Sequence, residues 1–251
     1  MKIVNVCYDD YANYMHGITK SLRAAGADCK EFKMIPHPFG YAEEAPICRI
    51  EEMVHDISGA DIVNVFHTST IFIPVIKQLK AEPKITVWHT GTKYRQAPQE
   101  MDAAFAEVNA VAFTDQCEFF AIPGSPFARG RGHYIAAAVE LEDTKRCSQV
   151  PYRFAHYPSN KTCEDTKGTS VIQRTMQQYV EEKHSHRAKW TMSENKVSHR
   201  EQLERMGKCH IYVELFAPEQ DGKPYACYGV TAFEAAAMGK VVITQNSLPH
   251  V

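Results

Sequence analysis

Short, continuously apolar runs alternate with amphipathic segments along this chain, and that alternation constrains its fold more than any other feature. KIVNVC at 2–7, ADIVNVF at 60–66, KITVWHT at 84–90 and AVAFT at 110–114 carry apolar residues at successive positions. A strand that is apolar on both faces lies between two helical layers, as parallel sheets do. Between the runs stand helical segments. YANYMHGITKSLRAAG places Met15, Ile18 and Leu22 at helical spacing, with Gly26 as a stop. ICRIEEMVHDIS, IPVIKQLKA and PQEMDAAFAEV read as further helices, and a second strand is expected near 28–34. IPHPFGYAEEAPIC at 35–48 is rich in Pro, Gly and aromatics and reads as a loop excursion. Strand and helix in turn predict a doubly wound parallel sheet.

Residues 123–150 change character, with Gly, Pro and Arg preceding a charged stretch. The alternation then restarts. YRFAHYPS, RAKWTMS, HIYVELF and KVVITQ read as strands; KGTSVIQRTMQQYVEEKH, SHREQLERMG and VTAFEAAAMG read as helices, the second with a capping box from Ser198 to Glu201. The fold class expected is α/β, with two Rossmann-like domains over 1–145 and 146–251. A chain of 251 residues accommodates that division.

Composition narrows the function. Lys and Arg number 28 against 30 Asp and Glu, a net charge of −2, so no global cationic field exists to hold nucleic acid. No apolar run reaches the roughly 18–20 residues that span a bilayer, and MKIVNVCYDD lacks a signal-peptide core. A cytoplasmic protein is the expectation. The eight cysteines contain no C-x-x-C pair and read as reduced thiols. The twelve histidines show no metal-ligand spacing, and no metal site is expected. Glu219-Gln220-Asp221 has two carboxylates at D-x-D spacing but lies in a Gly/Pro loop. Lys20, Arg23, Lys30 and Lys33 would form a local cationic patch if they shared a face; scattered lysines on a soluble helix are the plainer account.

In open α/β sheets ligands bind beyond the carboxyl ends of strands, and three loops there carry chemistry. In DGKPYACYGVTAFEAAAMG, a turn at Tyr228-Gly229 opens a helix directly, so backbone N–H groups at Gly229, Val230 and Thr231 suit a phosphate. Glu234 lies one turn further and can accept hydrogen bonds from a ribose diol. In HYPSNKTCEDTKGTS, Ser159 and Asn160 follow a strand, and Lys161 and Lys167 precede a helix. Two lysines there would offset a diphosphate's charge, although a solvated surface loop accounts equally well for the spacing. In ITVWHTGTKYR, His89 ends a strand beside Gly91, Lys93 and Arg95 and could donate to a sugar or phosphate. Tyr11, Tyr14, His16 and Arg95 stand where a second substrate would be met.

Together these segments resemble the GT-B glycosyltransferases, in particular retaining enzymes of glycosyltransferase family 4. YGVTAFEAAAMGKVVIT is similar to the family's fG-x-x-x-x-EA-x-a-x-G-x-PVI signature, HYPSN…KGT to its H-x-PSN…KGT opening, and WHTGTKYR to the loop whose histidine contacts the donor sugar. The resemblance implies two Rossmann-like domains facing across a cleft. It implies a nucleotide-diphosphate sugar, UDP- or GDP-linked, as donor, with no further cofactor. Lys161 and Lys167 would attend the leaving diphosphate, Glu234 the ribose and His89 the sugar, with Ser159, Asn160, Tyr228, Gly229, Val230 and Thr231 lining the donor. The acceptor would be a glycan, a lipid-linked molecule or a small molecule.

The sequence departs from the family in three ways. The first glutamate of E-x7-E is replaced by Ala226, DDYAN stands where a Gly-Gly loop is usual, and only seven residues follow Thr244. The second domain would then be incomplete, with an exposed sheet edge that invites self-association. These departures motivate an alternative, a non-catalytic binding or regulatory subunit. A nicotinamide-dependent oxidoreductase ranks last, since no G-x-G-x-x-G follows the first strand.

Overall fold

A computed structural model describes residues 1–139, 151–158, 167–183, 186–193, 195–217, 219–220, 223–224 and 228–245. It is mixed α/β, with two compact units, each built on a parallel sheet. Unit 1 comprises Met1–Pro38 and Ala42–Ala138; unit 2 comprises Phe39–Tyr41 and Val139–Val251. The sequence-based boundary at 145/146 lies outside the described residues.

Unit 1 holds β1 (Lys2–Asp9), β2 (Asp28–Ile35), β3 (Ile62–Phe66), β4 (Lys84–Trp88), β5 (Val111–Thr114) and β6 (Gly132–Tyr134) in the order β2-β1-β3-β4-β5-β6. All five pairings are parallel. The order reverses between β1 and β3, which makes that edge the topological switch point. Val4, Val6, Val63, Val65, Ile85 and Val87 form the buried core with Met53 and Phe105. One polar ladder runs through this sheet. Asn64 Nδ2 donates to Asn5 Oδ1 at 2.7 Å, Thr86 Oγ1 to Asn64 Oδ1 at 2.6 Å, and Asn5 Nδ2 to Thr19 Oγ1 at 2.8 Å. The apolar runs tolerate these amides because each finds a partner.

Helix α1 (Tyr14–Ala24) begins with the Asp10 carboxylate accepting from Met15 N at 2.8 Å and His16 N at 3.0 Å. The acidic DDYAN turn therefore supplies its own anion to the first helix, where a Gly-Gly loop would leave the amides to a phosphate. Helix α2 covers Ile50–Ser58. The helix expected over 73–81 shortens to α3 (Ile73–Ile76), followed by turns that bring Leu79 against the core. A helix not anticipated, α4 (Gly91–Gln96), follows β4, and α5 covers Pro98–Ala106.

The cations read as a candidate patch are individually neutralised. Lys20 pairs with Glu43 at 2.9 Å, Arg23 with Glu31 at 3.2 Å and Lys30 with Asp56 at 2.6 Å, and Lys33 is buried against Glu44. Lys33 also anchors the excursion after β2, since Lys33 N donates to Pro46 O and Cys48 N to Lys33 O, both at 2.9 Å. Residues Phe39–Tyr41 of that excursion pack with unit 2, where His199 N donates to Phe39 O at 3.0 Å and the Tyr41 ring lies 4.5 Å from His199.

Unit 2 places β7 (Tyr152–His156), β8 (Ala188–Met192), β9 (Ile211–Val213) and β12 (Val241–Ile243) in a parallel sheet of order β12-β9-β7-β8. Two-residue strands β10 (Glu219–Gln220) and β11 (Lys223–Pro224) pair antiparallel; Asp221 of the D-x-D-like triplet is outside the described residues. Helix α6 (Thr169–Met176) widens into a π-type stretch over Gln177–Lys183. Helix α7 (His199–Gly207) is capped by Ser198, whose Oγ accepts from Glu201 N at 3.3 Å. The reciprocal half of the expected capping box is absent, because the Glu201 carboxylate accepts from Arg205 Nη2 at 2.6 Å. Helix α8 covers Val230–Ala237. Phe154 packs on one face of the sheet with Ile172, Met176 and Val213, and Ala155 on the other with Met206, Tyr212 and Ala235. Among the described residues no helix is long and apolar enough to cross a membrane.

Candidate functional site

In unit 2 the order reverses between β7 and β9, which makes the carboxyl ends of these strands the topological switch point, where open α/β sheets bind ligands. Three chain segments converge there. The first is Lys167-Gly168, leading into α6. Gly168 has φ +62°, and a Cβ there would run into the Phe216 carbonyl, so only glycine fits. Phe216 N donates to Lys167 O at 2.9 Å, which ties this segment to the chain leaving β9. The second segment is Glu214, one residue beyond β9, held by its own N–H to Ile243 O at 2.9 Å. The third is Gly229-Val230-Thr231, which starts α8.

These segments place the Lys167 ammonium in an ion pair with Glu214 Oε1, while Thr231 Oγ1 donates to Glu214 Oε2 at 2.7 Å. The Glu214 side chain is fully buried; that of Lys167 is 21% exposed. A Cβ on Gly229 would come within 3.0 Å of Glu214 Oε1 and 3.3 Å of Lys167 Nζ. Glycine at 229 therefore brings the α8 N-terminus directly onto the charge pair. Glu214 sits in the apolar run HIYVELF. Its signal in the sequence is a lone acid at a strand's carboxyl end, and its partners lie 47 residues before and 17 after it.

One turn into α8, Glu234 Oε1 meets His199 Nε2 at 2.6 Å, with side-chain exposures of 13% and 26%. Tyr228 packs edge-on against Phe233, ring centroids 5.2 Å apart. Below the site, His156 closes the end of β7. Its Nδ1 lies 2.8 Å from Val213 O, which can only accept, so Nδ1 carries the proton and Nε2 accepts from Thr169 Oγ1 at 3.1 Å. Of the residues read from sequence, Lys167, Gly229, Thr231 and Glu234 are thus found around one strand end of unit 2, with Val230 and Tyr228 adjacent in the chain. Ser159, Asn160, Lys161 and Ala226 lie outside the described residues.

The first-unit candidates have a different placement. The His89 imidazole is 1% exposed, 4.1 Å from the Tyr94 ring and edge-on to Phe105 and Phe127. Its Nδ1 lies 3.2 Å from Thr68 Oγ1. Burial pushes its pKa down to about 3, so the ring is a neutral core member and is not presented at a surface. A histidine at a strand end turned inward here because the following helix brings Tyr94 over it. Tyr14 is buried, His16 is hydrogen-bonded to Glu31 at 3.0 Å, and Arg95 is held by Glu118 and Gln116 at 2.8 Å. Tyr11 remains 57% exposed, edge-on to His37.

The carboxyl edge of unit 1 carries a group that the sequence reading missed. His67 Nε2 lies 3.1 Å from Asp10 Oδ1, and His67 Nδ1 lies 2.6 Å from Thr90 Oγ1. His67 and Thr68 both adopt positive φ, +55° and +54°. Lys93 Nζ pins the turn by donating to Thr68 O at 2.8 Å.

No protein-family model and no curated protein sequence matches the chain. Among solved structures it is similar to the spinosyn forosaminyltransferase SpnP, with 11% identity, a TM-score of 0.43, and coverage of 96% of this chain and 79% of that one. The α/β architecture is established by the two parallel sheets themselves.

Proposed function

We propose that this protein transfers a sugar from a nucleotide-diphosphate donor, held by unit 2, to an acceptor hydroxyl. The observation that carries the reading is the convergence of Lys167, Gly229 and Thr231 at the N-terminus of α8, with Glu234 one turn further along the same helix. Backbone amides and the helix dipole favour an anion at that point. An ammonium has three N–H donors, so Lys167 can bridge Glu214 and a phosphoryl oxygen as charge develops on the leaving diphosphate. Glu234 keeps Oε2 for the ribose hydroxyls while Oε1 holds His199. Ser159, Asn160 and Lys161 would add donors from the loop after β7. His89 is given no contact with the sugar, because its ring is enclosed by Tyr94, Phe105 and Phe127. Retention of configuration, metal independence and a UDP- or GDP-linked hexose follow from the family 4 resemblance and belong to the same proposal.

The test is calorimetric titration with UDP, GDP, ADP and CMP and their sugar conjugates. One diphosphate class should bind saturably and weaken at least tenfold in Glu234→Ala. Unchanged affinity in a folded Glu234→Ala protein would sink the assignment. One observation favours a second reading, a binding or regulatory subunit without turnover. Glu214 already occupies the ammonium of Lys167 and the hydroxyl of Thr231. Sugar release from a donor by the purified protein would exclude that reading.

A further inference from the structure

The chemistry assembled at the carboxyl edge of unit 1 is built from residues of that unit alone. It stands at the β1/β3 switch point, the place where a doubly wound sheet opens its ligand crevice. Asp10 is fully buried and accepts from Met15 N, His16 N and His67 Nε2. A carboxylate only accepts, so His67 carries its proton on Nε2. Nδ1 is then the acceptor, and the Thr90 hydroxyl, 2.6 Å away, donates to it. Nucleophile, base and orienting carboxylate are in hydrogen-bond sequence, the arrangement that activates a hydroxyl.

Capping α1 requires Asp10 alone; it does not account for His67 or Thr90. His67 and Thr68 are both held at positive φ, a state that is an outlier for the β-branched threonine and that clusters at functional turns. Thr90 is only partly buried, and Gly91 beside it has φ +65° with no atom within 4 Å of where a Cβ would stand. A substrate can therefore approach the Thr90 backbone. Tyr14 Oη and Trp88 Nε1 are buried with no hydrogen-bond partner; the Tyr14 ring centroid lies 6.0 Å from that of His67 and 6.1 Å from that of Trp88. Buried donors without partners call for a ligand or a water.

We propose that Asp10, His67 and Thr90 form a hydroxyl-activating relay whose nucleophile, Thr90, accepts acyl groups from activated esters or thioesters. In the first step the Thr90 Oγ–C bond forms and the ester C–O (or thioester C–S) bond breaks. His67 Nδ1 takes the Thr90 proton and passes it to the leaving oxygen or sulfur. Water then cleaves the acyl-threonine, releasing the acid and restoring the hydroxyl. Asp10 acts as a positioning residue by fixing the His67 tautomer.

The probe is an alkyl fluorophosphonate, which forms an Oγ–P bond with loss of fluoride, applied to the full chain and read by intact mass and fragment-ion mapping. The phosphonyl adduct should map to Thr90. It should be absent in Thr90→Val, retained in Thr90→Ser, and formed at least about a hundredfold more slowly in His67→Asn, as expected for loss of a general base. Asparagine is chosen because it tolerates positive φ. If His67→Asn fails to fold by circular dichroism, the Thr90→Val and Thr90→Ser pair decides alone. Failure to modify Thr90 in the folded chain, modification confined to another hydroxyl, or an undiminished rate in folded His67→Asn would each overturn the proposal. Because the readout is on unit 1 and needs no nucleotide, its failure is distinct from failure of the donor site.

Discussion

Replacing Lys167 by methionine removes the ammonium that compensates a fully buried carboxylate, with little change in side-chain length. Glu214 would keep one hydrogen bond, from Thr231 Oγ1. Breaking a buried ion pair from one side costs about 3–5 kcal/mol. Lys167 is 21% exposed, so part of its attraction is already screened, and the lower end, about 3 kcal/mol, is expected. The converse change, Glu214→Gln, leaves an ammonium that can turn to water and should cost about 1 kcal/mol. The double variant Lys167→Met/Glu214→Gln should recover about 2 kcal/mol of the larger loss. Hydrogen exchange read by mass spectrometry separates the units. Peptides over β9 and α8 should lose roughly a hundredfold in protection, at about 1.4 kcal/mol per tenfold, while those over β1 and β3 serve as control. Equal costs for Lys167→Met and Glu214→Gln, or a cost below about 1 kcal/mol for Lys167→Met, would show that Glu214 is not a buried charge dependent on Lys167.

Gly168 and Gly91 share nearly the same backbone angle, φ +62° and +65°, but only Gly168 faces an obstructing carbonyl. Gly91→Ala should cost about 1–2 kcal/mol from backbone strain alone, and Gly168→Ala clearly more, as read by urea denaturation; equal costs would remove the steric argument. His89 and Asp115 should impose opposite pH slopes on unit 1. The His89 pKa falls by burial from 6.5 to about 3, so the unfolded chain binds the extra proton and stability rises with pH across that interval. Burial raises the Asp115 pKa from 3.8 to about 6, so the native state binds the extra proton and stability falls with pH between those values. The two nearly cancel from about pH 4 to 6, and Asp115→Asn should uncover a rise of roughly 1.4 kcal/mol per pH unit there; a flat profile in that variant would contradict the burial of His89. His89→Gln should reverse the slope.

The central strands of unit 1 were legible because a parallel strand covered by helices on both faces is apolar at most successive positions, as KIVNVC, DIVNVF and KITVW are. Gly26 and Gly239, both at positive φ, marked helix ends for a local reason that a sequence displays directly. The Gly229 turn and Glu234 were legible as a helix start and a face for the same reason. His89 was not, because its direction depends on Tyr94 and Phe127, and a strand-end position looks the same whether the ring turns out or in.

Local physics therefore determined the α/β class, the order of elements and the segments that end at strand tips, since propensity, periodicity and glycine stops act over a few residues. Strand order, and with it the two switch points, was decided only by tertiary packing. So were the pairings Lys167–Glu214, His199–Glu234 and Asp10–His67–Thr90. Each hydrogen-bonded pair joins residues 23 to 57 positions apart, and nothing in the spacing of a lone acid or histidine says which distant partner the sheet will bring to it.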